Sequence, residues 1–252
     1  LPGQVTITAQ SAGFSDTAIV DVTGTTRLSL DSQGVQGNNG SSNGSMSGDG
    51  RWVAFNSLAT NLVVGSDTNG ADDIFVSDRQ TLTTTRVSMD SAGNQGNGQS
   101  TNPSISADGR FVAFFSSATN LVPGDTNASF DVFVHDRQTS ITTRVSVDSA
   151  GNQGNASSNS PSISADGRFV SFHSQADNLV AGDGNGVPDV FVHDRQLGTT
   201  SLVSRDSAGN LGNRGSIRPS ISADGVLIAF ESGATNLVAG DTNNRTDVFV
   251  HN

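Results

Sequence analysis

The sequence contains no cysteine and no lysine, and Glu231 is its only glutamate. Without cysteine the chain has neither a disulfide framework nor a thiol nucleophile. Its 13 basic residues are all arginines, and against 24 acidic residues they leave a formal net charge of -11. A nucleic-acid-binding face needs clustered positive charge, so nucleic acid is not a predicted partner.

Long hydrophobic runs are also missing. No stretch approaches the roughly 18 apolar residues of a membrane span, so none is predicted. Only 33% of the residues are hydrophobic and 15% are charged, while 29 are glycine. The remainder is mostly Ser, Thr, Asn and Gln, a composition that suits many short strands joined by turns. This acidic composition without Cys or Lys is common among bacterial surface proteins, and we expect an extracellular or cell-surface location.

An internal repeat dominates the chain. The motif Ser104 to Phe114 returns at 162–172 and 220–230, and in looser form at 45–55. The Asp of its Asp-Gly pair recurs every 58 residues at Asp108, Asp166 and Asp224, and Asp49 lies 59 residues before Asp108. Repeats of this length predict an array of similar structural units.

Each repeat predicts four antiparallel strands, in the second repeat Pro103 to Ala107, Arg110 to Ser116, Asp131 to Asp136 and Thr142 to Val147. The Asp-Gly pair suits a tight hairpin between the first two strands. The second strand is apolar on both faces, which requires neighbours on both sides. Four strands in about 58 residues with both faces buried indicate propeller blades. A parallel β-helix is the main alternative, but its rungs are usually shorter and lack such hairpins.

The motifs Ser-x-Asp-Gly-Arg-x-Val-Ala-Phe and Asp-Val-Phe-Val-x-Asp resemble those of the TolB-type, WD-like propeller repeats of bacteria. The long loop containing Ala-Thr-Asn-Leu-Val-x-Gly-Asp-x-Asn marks a subtype. The resemblance runs from about residue 25 to the end of the chain. It implies an all-β propeller fold and hardly any specific activity.

The two ends of the repeat region complement each other. Residues 25–31 match the fourth-strand motif of 142–148, and Val248 to Asn252 match a third strand. We therefore predict a four-bladed propeller of four-stranded blades over residues 25–252, in which 25–31 complete the last blade. Sharing of these strands between chains is the alternative.

Residues 1–24 lie outside the repeat. Val5 to Gln10 and Thr17 to Val22 flank a turn and resemble the last hairpin of a bacterial immunoglobulin-like domain. A lone hairpin is marginal in water. We expect this β-hairpin extension to pack on the propeller or to complete a sheet in another copy of the chain, unless it is a remnant lying on the surface.

The motif Asp-x-Asn-x-x-x-Asp offers candidate metal ligands, because oxygen ligands at positions one, three and seven resemble the start of calcium loops. Calcium loops of the helix-flanked kind have Gly at position six and Glu at position twelve, and the repeats have neither. Position twelve after Asp125 is Asp136, which lies about 16 Å away along an extended strand and cannot close the same ion. The alternative is that these side chains only stabilise turns. The twelve candidates are Asp67, Asn69, Asp73, Asp125, Asn127, Asp131, Asp183, Asn185, Asp189, Asp241, Asn243 and Asp247.

Catalysis is not predicted. An enzyme site needs unlike groups that converge, whereas the polar residues here recur blade by blade. His135, His193 and His251 occupy one equivalent position in successive blades, too far apart to share an ion. His173, Trp52 and Glu231 are the unique residues, and no nucleophile motif accompanies them.

The sequence thus predicts a non-catalytic structural or interaction module of a bacterial surface protein, with calcium as a candidate stabilising ion. Gly- and Asn-rich loops such as Asp148 to Asn155 follow each fourth strand, and on one rim they could bind protein or glycan. Two alternatives stay open: an assembly subunit that shares strands through its N-terminal hairpin, and a hydrolase built on a propeller scaffold.

Overall fold

The protein is described here by a computed structural model, which gives the backbone of two strands within residues 3–11 and 14–22 and describes residues 24–65 and 67–252 in full. These residues form strands, turns and irregular loops. Among them, no helix has the length and apolar character needed to cross a bilayer.

Four consecutive antiparallel sheets account for most of the chain, and each is one blade of the predicted propeller. The all-β, four-bladed prediction is confirmed. Within each blade, strands follow each other in chain order. Blade 1 contains β3 (Ser41–Met46), β4 (Trp52–Ser57), β5 (Asp73–Asp78) and β6 (Thr83–Arg86); blade 2 contains β7 (Ser100–Ile105), β8 (Phe111–Ser116), β9 (Asp131–Asp136) and β10 (Ile141–Arg144). Blade 3 contains β11 (Ser158–Ile163), β12 (Phe169–Ser174), β13 (Asp189–Asp194) and β14 (Thr199–Leu202); blade 4 contains β15 (Ser216–Ile221), β16 (Ile228–Ser232) and β17 (Asp247–His251).

The first and last strands of a blade differ slightly from the predicted ones. In blade 2, β7 begins three residues before Pro103, because a bulge at Asn102, whose φ is 51°, carries the pairing past the proline. Strand β10 ends at Arg144, because Val147 turns away and bridges to Gln153. Strand β9 has the predicted bounds, and β8 begins at Phe111, one residue after the predicted Arg110.

The Asp-Gly hairpins also join the blades to each other. Asp108 Oδ1 accepts hydrogen bonds from the Arg110 amide and from Ser106 Oγ, and Gly109 adopts a φ of 72°. A Cβ atom at Gly109 would collide with the indole ring of Trp52 in blade 1. The same aromatic-on-glycine contact recurs between Phe111 and Gly167 and between Phe169 and Gly225. Each glycine therefore leaves room for the preceding blade.

The hydrophobic core lies between the blades. One cluster combines Ile74 and Val76 of blade 1 with Val112, Phe114 and Phe133 of blade 2, and all five are fully buried. Within each blade two phenylalanines from adjacent strands lie about 6 Å apart, as in the pair Phe114 and Phe133. Burial on both faces is what the doubly apolar strands predicted.

Blade 4 has three strands, and the predicted pairing of residues 25–31 with Val248 to His251 is not formed among the described residues. Residues 24–29 form no strand there, and the following residues lie against the outer strand of blade 1, where Thr84 Oγ1 donates to the Leu30 carbonyl at 2.6 Å. Met89 accepts from Thr142 in the same way. The cause is the packing between blades: strand packing joins blade 1 to blade 2, blade 2 to blade 3 and blade 3 to blade 4, and no comparable packing brings blade 4 against blade 1 among the described residues.

Strands β1 (Gly3–Ser11) and β2 (Phe14–Val22) form the predicted N-terminal hairpin, paired in register from Gly3 with Val22 to Ser11 with Phe14. The likeness to an immunoglobulin-like hairpin and a role in assembly stay predictions, since they depend on side chains outside the described residues.

Candidate functional site

The Asp-x-Asn-x-x-x-Asp loop of blade 2 folds its polar side chains toward one another. Asn127 Oδ1 accepts from the Ser129 amide, which closes the turn, and Asn127 Nδ2 donates to the Gly154 carbonyl at 2.8 Å. Asp131 is fully buried at the start of β9, where its Oδ1 accepts from Ser146 Oγ at 2.6 Å. The asparagine thus joins the loop to the next connector, and the aspartate holds the end of the outer strand.

Two residues that sequence reasoning missed complete this cluster. Arg144 lies against both carboxylates, with Nη2 at 3.3 Å from Asp125 Oδ2 and Nε at 3.5 Å from Asp131 Oδ2. Gln153 Nε2 donates to Asp125 Oδ1 at 3.0 Å and to Asp131 Oδ2 at 2.8 Å. A positive charge and two N–H donors therefore face the carboxylate oxygens. The available signal was the recurrence of both residues at the same offset in blade 1.

Blade 1 repeats the arrangement. Arg86 Nε lies 3.2 Å from Asp73 Oδ2, and Gln95 Nε2 donates to Asp67 at 2.8 Å and to Asp73 at 2.7 Å. The arginines neutralise charge without full hydrogen bonding, because Nε of Arg86 and both Nε and Nη2 of Arg144 have no hydrogen-bond partner in the described part of the chain. Burial still raises the pKa of Asp73 above its ordinary value, although the bonds from Ser88 and Gln95 and the charge of Arg86 oppose that rise.

Blade 3 keeps the acidic residues and lacks both partners, since Leu202 and Leu211 stand where blade 2 has Arg144 and Gln153. Burial, followed by repulsion from Asp189 and Asp177, raises the pKa of Asp183 to about 6. Burial also raises the pKa of Asp189, against hydrogen bonds from Ser204 and Asn185. These two carboxylates thus face each other without a cation.

Blade 4 has a third version of the cluster. Asn243 Nδ2 donates to Asp247 Oδ2 at 2.9 Å. Both carboxylate oxygens of Asp241 are buried and have no hydrogen-bond partner among the described residues. This cluster lies beside β17, where blade 4 has no outer strand.

The structure therefore brings the twelve predicted ligands together as four separate clusters, one in each blade. In blades 1 and 2 the N–H groups of an arginine and a glutamine face the carboxylate oxygens, and N–H groups cannot coordinate a cation. Within the described residues, no group of three or more His, Cys, Asp or Glu side chains is arranged to hold a metal. Calcium stays a prediction of the sequence, and blade 3 is the four-stranded blade in which a cation would meet least competition.

Asp136 is separate from the loop, as strand geometry predicts. It accepts two hydrogen bonds from Arg110, at 2.9 Å from Nε and 2.7 Å from Nη2. The guanidinium holds the pKa of Asp136 well below its usual range. This pair links the start of β8 to the end of β9 and has a structural role.

The histidines at the recurring position are structural as well. His135 Nδ1 lies 2.9 Å from Thr142 Oγ1, and that hydroxyl donates to the Met89 carbonyl at 2.5 Å. Both side chains are buried, and burial lowers the pKa of His135 to about 4, so the imidazole is neutral. His193 and Thr200 repeat the contact. A hydroxyl that donates to a backbone carbonyl and is closed to solvent cannot act as a nucleophile.

The unique residues lie in two places, Trp52 in one and His173 with Glu231 in the other. Trp52 packs between blades 1 and 2, with Arg137 4.0 Å from its ring centroid. Glu231 forms an exposed ion pair with Arg218 at 3.2 Å. His173 lies on β12 of blade 3 with a buried Nδ1 that has no hydrogen-bond partner. Burial, followed by the charge of Arg218, lowers the pKa of His173, so His173 and Glu231 both lie near Arg218.

The connectors between blades form repeated, self-supporting loops. In the loop after blade 2, Asp148 Oδ1 accepts from the Ala150 and Asn152 amides at 2.9 and 2.8 Å, and Oδ2 accepts from Asn152 Nδ2. These bonds lower the pKa of Asp148 below its ordinary value. The loop is exposed yet internally bonded, so its tip is presented in a defined shape.

Solved structures with the same architecture include TolB from Acinetobacter baumannii, at 18% identity and a TM-score of 0.54, covering 94% of this chain and 45% of that one. The fold is that of a TolB-like β-propeller. A putative TolB from Agrobacterium tumefaciens is similar at 17% identity and a TM-score of 0.51, covering 82% of this chain and 60% of that one. The propeller described here thus spans about half the length of these proteins.

Enzymes also occur among the similar structures. Oligogalacturonate lyase from Vibrio parahaemolyticus has 13% identity and a TM-score of 0.47, and covers 94% of this chain and 55% of that one. Neither a protein-family model nor a curated protein sequence matches the chain. At these identities the comparisons show the propeller fold alone.

Proposed function

We propose that this propeller is a non-catalytic interaction module of a protein exposed outside the cell. This proposal rests on one observation about the polar residues. Arg, Asp, His and Thr at equivalent positions make the same structural contacts in successive blades. The pairs Arg110–Asp136 and Arg168–Asp194 and the contacts His135–Thr142 and His193–Thr200 are examples.

The connector loops are the surface best suited to binding. Their aspartates, Asp90, Asp148 and Asp206, each accept two backbone hydrogen bonds within the loop, so the tips keep one conformation in three copies. A row of identical rigid loops favours binding of a repetitive partner, such as a glycan or a repeated protein motif, through several weak contacts at once. The acidic, lysine-free composition agrees with a location outside the cell.

The test has a chemical and a binding arm. A fluorophosphonate probe, which labels activated serines, should not label the chain, and binding to a panel of immobilised polysaccharides should be measured in parallel. In a variant with Asp90→Ala, Asp148→Ala and Asp206→Ala, binding should fall steeply while the melting temperature changes little, since all three carboxylates are on exposed loops. Ser140→Ala, at the exposed β9–β10 turn, is the control.

Labelling by the probe, or turnover of an ester or peptide substrate, would replace the proposal with the hydrolase alternative. Polysaccharide binding that is unchanged in the triple variant would place the binding surface elsewhere than on the connector loops.

A further inference from the structure

The two inner strands of each blade contain a few positions at which the repeat is not kept. In blades 2 to 4 the first strand repeats Ser, Pro, Ser and Ile, and the second repeats Phe and Ser near its end. The exceptions are the bulge of the first strand, the residue before it, and the second-strand residue that pairs there. We call the bulge and second-strand residues the inner band: Asn102, Ser160, Arg218, Phe115, His173 and Glu231.

The inner band continues from one blade to the next. Strand β8 packs on β11, and β12 packs on β15. Bulge side chains of adjacent blades can touch directly, because Asn43 of blade 1 donates through Nδ2 to Asn102 Oδ1 at 2.7 Å. Arg218 of blade 4 lies near His173 of blade 3, whose pKa is lowered by burial and then by the charge of Arg218. The bulges thus place unlike side chains of successive blades side by side.

The backbone of the bulges does not explain the residues they carry. Asn102, Ser160 and Arg218 have φ angles of 51°, 51° and 52°, in the left-handed region. Asparagine tolerates this region, whereas most other residues with a side chain adopt it at a cost. Backbone strain of this kind is concentrated at ligand-binding and active sites. The serine of blade 3 and the arginine of blade 4 therefore point to a role for their side chains.

His173 is not explained by the packing of its blade either. Its Nδ1 is buried and has no hydrogen-bond partner in the described part of the chain. By contrast, His135 and His193 each contact a threonine hydroxyl at 2.9 Å. Buried polar groups are normally paired, and the phenylalanine at the equivalent position of blade 2 avoids this cost. A polar group is thus retained in blade 3 where an apolar one would fold as well.

An aromatic pair lies in the middle of the inner band. Phe115 and Phe130 of blade 2 meet edge to face, with ring centroids 5.4 Å apart, and both are only half-buried. Phe115 packs with its other side against the core between blades 2 and 3. The band therefore has an apolar centre, with the amide of Asn102 toward blade 1 and the polar groups of His173 and Arg218 toward blade 4.

The chemistry of the inner band suits a neutral ligand with many hydroxyl groups. Arg218 has its own counter-ion, Glu231, at 3.2 Å, and the lowered pKa leaves His173 neutral. Amide, hydroxyl and imidazole groups both donate and accept hydrogen bonds, as sugar hydroxyls do. Ligand sites combine aromatic surface with a few placed polar groups, and the C–H face of a sugar ring suits such a surface. A peptide would instead pair its backbone with a strand edge, whereas these polar groups are side chains of three blades.

We propose that the inner band binds a neutral oligosaccharide, whose successive units contact blades 2, 3 and 4. The apolar face of one unit lies on Phe115. The hydroxyls of the flanking units pair with Asn102 on one side and with His173 and Arg218 on the other. This site is on the inner strands, and it does not depend on binding by the tips of the connector loops.

Isothermal titration calorimetry of the whole chain with maltohexaose, cellohexaose and mannohexaose tests the proposal, and at least one of the three should bind. His173→Phe gives blade 3 the residue of blade 2. It should weaken binding about tenfold or more, because a hydrogen bond to the sugar is lost, while the melting temperature should not fall. His173→Asn gives blade 3 the residue of blade 1, keeps a donor and an acceptor, and should retain most of the affinity.

Arg218→Asn makes the same test in blade 4. Asparagine is the bulge residue of blade 2 and tolerates the left-handed backbone, so the melting temperature should stay the same or rise. Binding of the same sugar should weaken about tenfold, because a charge-assisted hydrogen bond is lost. Arg245→Asn is the matched control, since it removes the same charge from an exposed loop outside the inner band and should leave binding unchanged.

Three results would overturn the proposal. The first is that none of the three sugars binds at millimolar concentration, or that a neutral Ala-Gly hexapeptide binds in their place. The second is sugar binding that His173→Phe and Arg218→Asn leave unchanged. The third is sugar binding that these variants keep and that the triple variant of Asp90, Asp148 and Asp206 loses, which would assign the sugar to the connector loops. Loss in the band variants with full binding by the triple variant supports the inner band.

Discussion

Blades 2 and 3 share a backbone and differ in the environment of one acidic pair. In blade 2, Arg144 and Gln153 contact Asp125 and Asp131. In blade 3, leucines at the two equivalent positions leave Asp183 and Asp189 without a cation, and the pKa of Asp183 rises to about 6. Both blades keep the turn that these residues form. Blade 3 also folds without the compensating arginine, but its unpaired charges lower the free energy of unfolding at neutral pH.

Converting blade 2 to the blade 3 pattern should have the largest effect on the free energy of unfolding. Arg144→Leu should lower the free energy of unfolding by about 3 kcal/mol, because it removes the positive charge that faces two buried carboxylates. Chemical denaturation at pH 7 measures this change. Arg218→Leu, which removes the exposed pair with Glu231, is the control and should cost under about 0.5 kcal/mol. Equal losses in the two variants would contradict a compensating role for Arg144.

The reverse conversion should stabilise blade 3. Leu202→Arg combined with Leu211→Gln should raise the free energy of unfolding by about 1 kcal/mol at pH 7, since charge pairing outweighs the lost apolar contacts. NMR titration should show a lower pKa for Asp183 in this variant. An unchanged Asp183 pKa would mean that the new arginine does not reach the carboxylates.

The pH dependence of Asp183→Asn isolates the cost in blade 3. The pKa of Asp183 is raised from 3.8 to about 6. Between these two pH values the folded protein keeps a proton that the unfolded chain has released. The contribution of Asp183 to the free energy of unfolding is fully present below about pH 4 and is lost as the pH rises through about 6. At pH 7 the variant should melt about 1 to 2 °C above the wild type, a small gain because Asp183 is half-exposed. The difference should vanish near pH 4, and a constant offset at every pH would refute the linkage.

The smallest expected effect is that of calcium on the melting temperature. We expect any rise in melting temperature with millimolar calcium to come from blade 3, the four-stranded blade in which no arginine competes, and therefore to be absent in Asp183→Asn and in Leu202→Arg. Thermal melts with and without a chelator measure it. A calcium response that is retained in both variants would assign the ion to another blade.

Much of the fold follows from local sequence patterns. The doubly apolar strands 111–116 and 131–136 and the hairpin at Asp108-Gly109 were predicted correctly, because alternation and turn chemistry act over a few residues. The bulge at Asn102 was missed, since no short pattern marks it. The acidic loop was located correctly, but its partners were not: Arg144 lies 19 residues after Asp125, and Gln153 lies 28 residues after it.

The sequence by itself determined the repeat, the four blades and the approximate positions of their strands. Each of these depends on periodicity or composition, which the order of residues contains directly. Only the tertiary structure decided which side chains surround each carboxylate pair and that Thr84 holds residues 28–37 on blade 1. Those outcomes depend on which blades touch, and packing between segments far apart in the chain decides that.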